Sequence, residues 1–190
     1  MPLPAPVPRE EIHCRTIQMR GYRREDGLYD IEGRITDVKT HPFSSIGGRS
    51  VEPGSPLHDM WVRLVIDEDM LVIDVQAITD ASPYAACPGA APGLSAIKGE
   101  RLAKGWRAAI AKKLAGVDGC THIKELLNAM GSAAYQSLTP IRKAREAVIH
   151  DKRRPASLNS CLAHASDGDL VLFRWPEFHT GKPVSKEQKP

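Results

Sequence analysis

The chain predicts an α+β fold, an antiparallel sheet of about four strands with helices packed on one face. Before residue 85 apolar and polar positions alternate between turn signals, and beyond residue 99 the apolar spacing lengthens to three and four. With 190 residues, 42% hydrophobic and 26% charged, the chain is long enough to bury a core and has an ordinary globular balance.

Residues 12–20 and 29–39 read as strands joined through Arg23-Arg24-Glu25-Asp26-Gly27, where Asp-Gly supplies the turn. Residues 40–56, rich in Pro, Gly and Ser, read as a long loop, and long ordered loops in compact domains often carry function. Residues 57–67 and 71–80 form a second hairpin across Glu68-Asp69-Met70. The prolines and glycines of residues 88–98 allow at most a short helical turn. Leu102, Trp106, Ile110 and Leu114 recur every four residues and predict a helix from Gly99 that stops at Gly116. A second helix opens at Cys120 on an Ile123, Leu126, Leu127, Met130 face. Pro140 interrupts it, and residues 141–150 continue as a separate helix. The apolar run 170–175 reads as one more strand. The domain is drawn at residues 12–176, between a disordered arm at 1–11 and a mobile tail at 177–190.

A net charge of +3 is mild, its surplus falling on Lys152-Arg153-Arg154 and on Lys182, Lys186 and Lys189. Without a basic stripe, and with only 5% aromatic residues, nucleic-acid binding is not expected. Apolar stretches broken by charge fall well short of the ~20 residues a bilayer requires, so no membrane partner is expected. The proline-rich start has no signal-peptide core, and the expected location is the cytoplasm. There the cysteines at 14, 87, 120 and 161 stay reduced, with Cys14 and Cys161 taken as buried apolar fillers.

Residues two apart in a strand share a face. His58 is in phase with Met60, Val62 and Leu64, and Asp37 with Ile31 and Ile35. If the strands are antiparallel neighbours, the end of one brings Asp37 beside His58 at the start of the next. The strand ending near Asp80 returns to this edge, where Cys87 follows. The connector and helices are long enough to bring Cys120 and His122 back to the same end. A thiol where a helix begins loses its proton readily, which suits a metal ligand or a nucleophile. His58, Cys87, Cys120 and His122 are therefore the candidate ligands of a zinc or iron ion, with three protein ligands if a place stays open for water or substrate. Asp37 or Asp59 would orient His58 or act as general base, Cys120 is also a candidate catalytic nucleophile, and Arg24, Arg63 and Tyr84 would face a substrate. Asp59 also has a plain structural reading as the ion-pair partner of Arg34 or Arg63.

Residues 24–33, with His58-Asp59-Met60, Pro83-Tyr84-Ala85-Ala86-Cys87, Gly119-Cys120-Thr121-His122 and Asn159-Ser160-Cys161, resemble the bacterial domain of unknown function 2889 family over about residues 12–176. That family implies no particular reaction. The order of sheet, cysteine, helix and helix-opening cysteine is similar to iron-sulfur cluster scaffold and sulfur-acceptor proteins. That likeness implies Asp37 or Asp59, Cys87, Cys120 and His122 as ligand types, although the Cys-Gly-Asp hairpin of those proteins is missing.

The leading expectation is a metal-dependent enzyme, a lyase or hydrolase, acting on a small carbonyl- or carboxylate-containing molecule, as a homodimer or alone. The alternatives are a metal-binding sulfur-trafficking accessory protein and a metal-free enzyme with Cys120 as nucleophile and His58 or His122 as base.

Overall fold

The structure is a computed structural model that describes residues 3–148, 154–155 and 157–181. The Lys152-Arg153 pair and Lys182, Lys186 and Lys189 lie outside the described residues, as does most of the expected tail. Contacts group residues 1–143 into one compact unit and 144–190 into a second.

The first unit is built on four antiparallel strands in sequential order, β1 (His13–Arg23), β2 (Tyr29–Lys39), β3 (Pro56–Ile66) and β4 (Val72–Ala81). The predicted α+β class, with an antiparallel sheet of four strands, is the observed one. Between β1 and β2, Gly27 takes φ +84, which a side chain would resist, and Asp26 Oδ1 accepts the Leu28 amide at 3.2 Å. Between β3 and β4, Asp67 Oδ1 accepts the amides of Asp69 and Leu71, and Met70 takes φ 60. Alternation sorts the sheet: Tyr29, Ile31, Ile35, Met60, Val62, Leu64 and Ile66 join the core. Charge pairs such as Arg63 with Glu32 and Arg34 with Asp59 occupy the alternate positions.

Helix α1 (Trp106–Lys113) is shorter than the predicted span from Gly99. Gly99 and Gly105 adopt φ +82 and +98, which break helical geometry. Leu102 is buried from a turn, so the four-residue spacing survives where the helix does not. The connector holds two short 3₁₀ turns, Cys87–Ala90 and Pro92–Ile97. Helix α2 (Thr121–Ser137) starts just after Cys120 and buries Ile123, Leu126, Leu127, Met130 and Ala134. Each large apolar side chain among them contributes about 1.5–3 kcal/mol. Trp106 lies over Gly131 and donates from Nε1 to Leu127 O at 2.7 Å, locking α1 to α2. Helix α3 (Thr139–Val148) follows where Pro140 fits a first turn that needs no amide donor.

Helix α2 crosses β1 so closely that a Cβ on Gly21 would meet Ser137 Oγ at 2.0 Å and its Cβ at 2.7 Å. Gly21→Ala is therefore expected to cost about 1–3 kcal/mol, as other overpacked contacts do, read as a lower urea midpoint at unchanged slope.

In the second unit the expected strand at 170–175 is instead a short helix, α4 (Asp169–Arg174). A short apolar run cannot separate the two periods, and only Val171 of this helix is buried while Phe173 is exposed.

A candidate Asp-His-His metal centre

The β2–β3 register pairs Asp37 with His58, and β1–β2 pairs Arg15 with Asp37. The bulge after Asp37 sits at this rim of the sheet. The first turn of α2 carries His122 to the same place. Asp37 Oδ2 lies 2.9 Å from His58 Nδ1 and 3.7 Å from His122 Nε2, and the two rings stack with centroids 3.8 Å apart. One donor atom from each of Asp37, His58 and His122 falls within 4.8 Å of the others.

Asp37 is 1% exposed, and two further side chains hold its carboxylate. Arg15 grips it with Nε on Oδ1 and Nη2 on Oδ2, both at 2.8 Å, and His13 Nε2 lies 2.8 Å from Oδ1. Arg15 Nη1 also donates to Glu125 Oε2 at 2.6 Å, tying β1, β2 and α2 together. Burial pushes the Asp37 carboxyl up, but the hydrogen bonds from Arg15 and His13 and the nearby positive charge outweigh it and hold the group well below the usual carboxylate range. A carboxylate only accepts, so His58 donates from Nδ1, and in the neutral ring Nε2 keeps a free lone pair.

Burial lowers both His58 and His122, Asp37 opposing in each case, while neighbouring positive charge adds to the lowering, from Arg15 and His13 at His58 and from His58 and Arg15 at His122. The folded state thus binds fewer protons on these rings than an unfolded chain titrating near the ordinary 6.5. Stability must fall as pH drops through that value, and fall again below the ordinary carboxylate range as Asp37 loses its charge. In chelator, the urea midpoint is expected to be lower at pH 5.5 than at pH 7.5, with a flatter dependence in His122→Asn.

Cys120 Sγ lies 3.9 Å from His122 Nδ1 and 3.9 Å from Met60 Sδ, beside the cluster, with the thiol half-buried. Cys87 opens its 3₁₀ turn and packs against the hydrophobic core. Among the described residues the group with metal-ligand spacing is Asp37, His58 and His122, so the carboxylate stands where the sequence reading put thiolates. Asp59 alternates to the other face, where Arg34 grips it with bonds of 2.8 and 2.6 Å. Arg24 is tied to Asp26 and Asp30 at the far hairpin turn, roughly 26 Å along the strand from Asp37. Arg63 pairs with Glu32 on the outer face. Tyr84 lines a cleft of about 890 Å³ with Arg49, Asp59 and Asp80, and Asp37, His58 and His122 are not in its lining. The chemistry singles out the cluster rather than this cleft, because among the described residues it is the group that converges imidazole nitrogens on one buried carboxylate oxygen. Cys14 and Cys161, expected as buried fillers, are both exposed.

Sequence reasoning missed His13 and Arg15. The Asp-Gly turn signal does not by itself fix the one-residue register that sets Arg15 opposite Asp37, which the Arg23–Tyr29 pair of the folded hairpin does.

The family described as Protein of unknown function (DUF2889) matches residues 13–136, which spans β1 to all but the last residue of α2. The chain belongs to that family. The matched segment contains every residue of the Asp37 cluster and its Arg15, His13 and Glu125 partners. No curated protein and no solved structure matches the chain. Among the described residues no helix is long and apolar enough to cross a membrane.

Proposed function

We propose that the protein is a metal-dependent enzyme that holds one divalent zinc or iron ion on Asp37, His58 and His122 and acts on a small carbonyl- or carboxylate-containing molecule. The observation that carries this reading is the convergence of two imidazole nitrogens on Asp37 Oδ2 at 2.9 and 3.7 Å. Metal bonds near 2.1 Å at angles of 90–120° hold donors about 3.0–3.6 Å apart. The 2.9 and 3.7 Å separations bracket that range, and His58 Nδ1 would give up the proton it shares with Asp37 on binding. The donor set fits in a second respect: both rings are biased toward the neutral form, which a metal requires.

Two imidazoles and one carboxylate leave coordination places for water and substrate, and a metal there would supply Lewis-acid chemistry. The chain's own part is to hold the donors. Arg15 and His13 fix the carboxylate, Arg15 anchors α2 through Glu125, and the edges of His58 and His122 still reach solvent. Arg15 is engaged on both sides, so substrate selection falls to groups outside this clamp. Four free thiols accord with work in the cytoplasm. Against the scaffold alternative, Cys87 takes no place in the cluster.

A second reading draws on one observation, the order Cys120 Sγ, His122 Nδ1, His122 Nε2 and Asp37 Oδ2 at 3.9 and 3.7 Å. That order would let Cys120 act as a metal-free nucleophile with His122 as base. Elemental analysis of untagged protein separates the two. About one equivalent of zinc or iron, lost in His58→Ala and His122→Ala but retained in Cys120→Ser, supports the metal centre. Metal-free protein whose turnover depends on Cys120 supports the thiol.

A further inference from the structure

We infer that Cys161 and His164 form a second reactive site, a solvent-facing thiol–imidazole pair that exchanges with low-molecular-weight disulfides. Cys161 Sγ lies 3.3 Å from His164 Nδ1, the closest thiol–imidazole approach among the described residues, and the cysteine is exposed. The other three thiols differ in kind. Cys14 is exposed but has only the Thr16 hydroxyl at 4.0 Å, Cys87 is packed against the core, and Cys120 is half-buried with its imidazole at 3.9 Å.

The pair is held in place by groups that do not belong to it. The His164 ring rests on Trp175 with centroids 5.8 Å apart, and the Arg174 guanidinium lies 4.7 Å from the same indole. This backing fixes the imidazole beside the thiol. Asn159 takes φ 59, uncommon for a residue with a side chain, so that its amide reaches His164 O at 2.8 Å and its Oδ1 accepts from Ser166 N at 2.8 Å. The chain between 159 and 166 is thereby closed into a loop that presents the sulfur outward. Leu162 beside it is 93% exposed, leaving open approach for a small reagent.

In the exchange, Cys161 Sγ attacks one sulfur of the disulfide while His164 Nδ1 takes the thiol proton. The new bond joins Cys161 to that sulfur, the original S–S bond breaks, and the departing thiolate recovers the proton from His164. Cys161 is oxidised, the departing sulfur is reduced, and no further oxidant enters. The pair belongs to the second unit, and its exchange chemistry does not depend on a metal at the Asp37 cluster.

The test incubates the full-length protein with glutathione disulfide at pH 7 and follows each cysteine by peptide mapping. Cys14, exposed on the same molecule, is the internal reference. The expected result is a mixed disulfide at Cys161 forming about tenfold faster than at Cys14, the scale of modest base assistance, reversed by dithiothreitol. His164→Asn and His164→Gln should each bring the Cys161 rate down to that of Cys14. Equal rates at the two cysteines of the unaltered protein, or a Cys161 rate unmoved by both variants, would overturn the proposal.

Discussion

Asp37→Ala is expected to destabilise the metal-free protein by about 2–4 kcal/mol, measured by urea unfolding at pH 7.5. The carboxylate is nearly inaccessible, yet it accepts two bonds from Arg15 and one each from His13 and His58. Removing it strands the His58 donor and deprives the guanidinium of its paired partner. Full burial of that orphaned charge would push the loss toward the upper end. Arg15 is 33% exposed and also paired with Glu125, so it recovers some hydration and the loss falls short of a sealed ion pair. Asp37→Asn should cost less, because the amide keeps one acceptor oxygen and the shape of the site. A change within about 0.5 kcal/mol in Asp37→Ala would mean that the network contributes no stability, contrary to its geometry.

The second large effect concerns metal affinity. His58→Ala and His122→Ala each remove one of three donors, and each is expected to weaken zinc binding by a factor of at least about 100, measured by competition with a chromophoric chelator. Arg15→Met touches no metal but frees Asp37 and uncouples Glu125, so it should weaken binding by about 10-fold or more, within the range seen when outer partners of a metal site are lost. Cys120→Ser should change affinity little, because its sulfur faces His122 and Met60 rather than the shared carboxylate oxygen.

The meeting of Asp37 with His58 was legible in the sequence because period-two alternation and antiparallel order are local rules that a turn propagates along both strands. The arrival of His122 was legible only as a possibility of length. It reaches the rim because α2 packs its Ile123, Leu126 and Leu127 face against the sheet, a tertiary choice that no local signal fixes. Cys87 was read toward the site from its place after β4. Its 3₁₀ turn instead settles it on the core, where a thiol behaves as a small apolar group. The helix drawn from Gly99 failed for a related reason: burial repeats every fourth residue in a glycine-bounded turn as well as in a helix. At 170–175 a run too short to show its period was assigned to a strand, and the described residues of the second unit hold no strand.

A cobalt(II) titration of the metal-stripped, full-length protein addresses the central claim most directly, because the absorbance of that ion reports both stoichiometry and donor type. One saturable equivalent is predicted, without a thiolate charge-transfer band, and lost in His122→Ala. Absence of saturable binding, or a thiolate band that Cys120→Ser removes, would contradict a centre built from Asp37, His58 and His122.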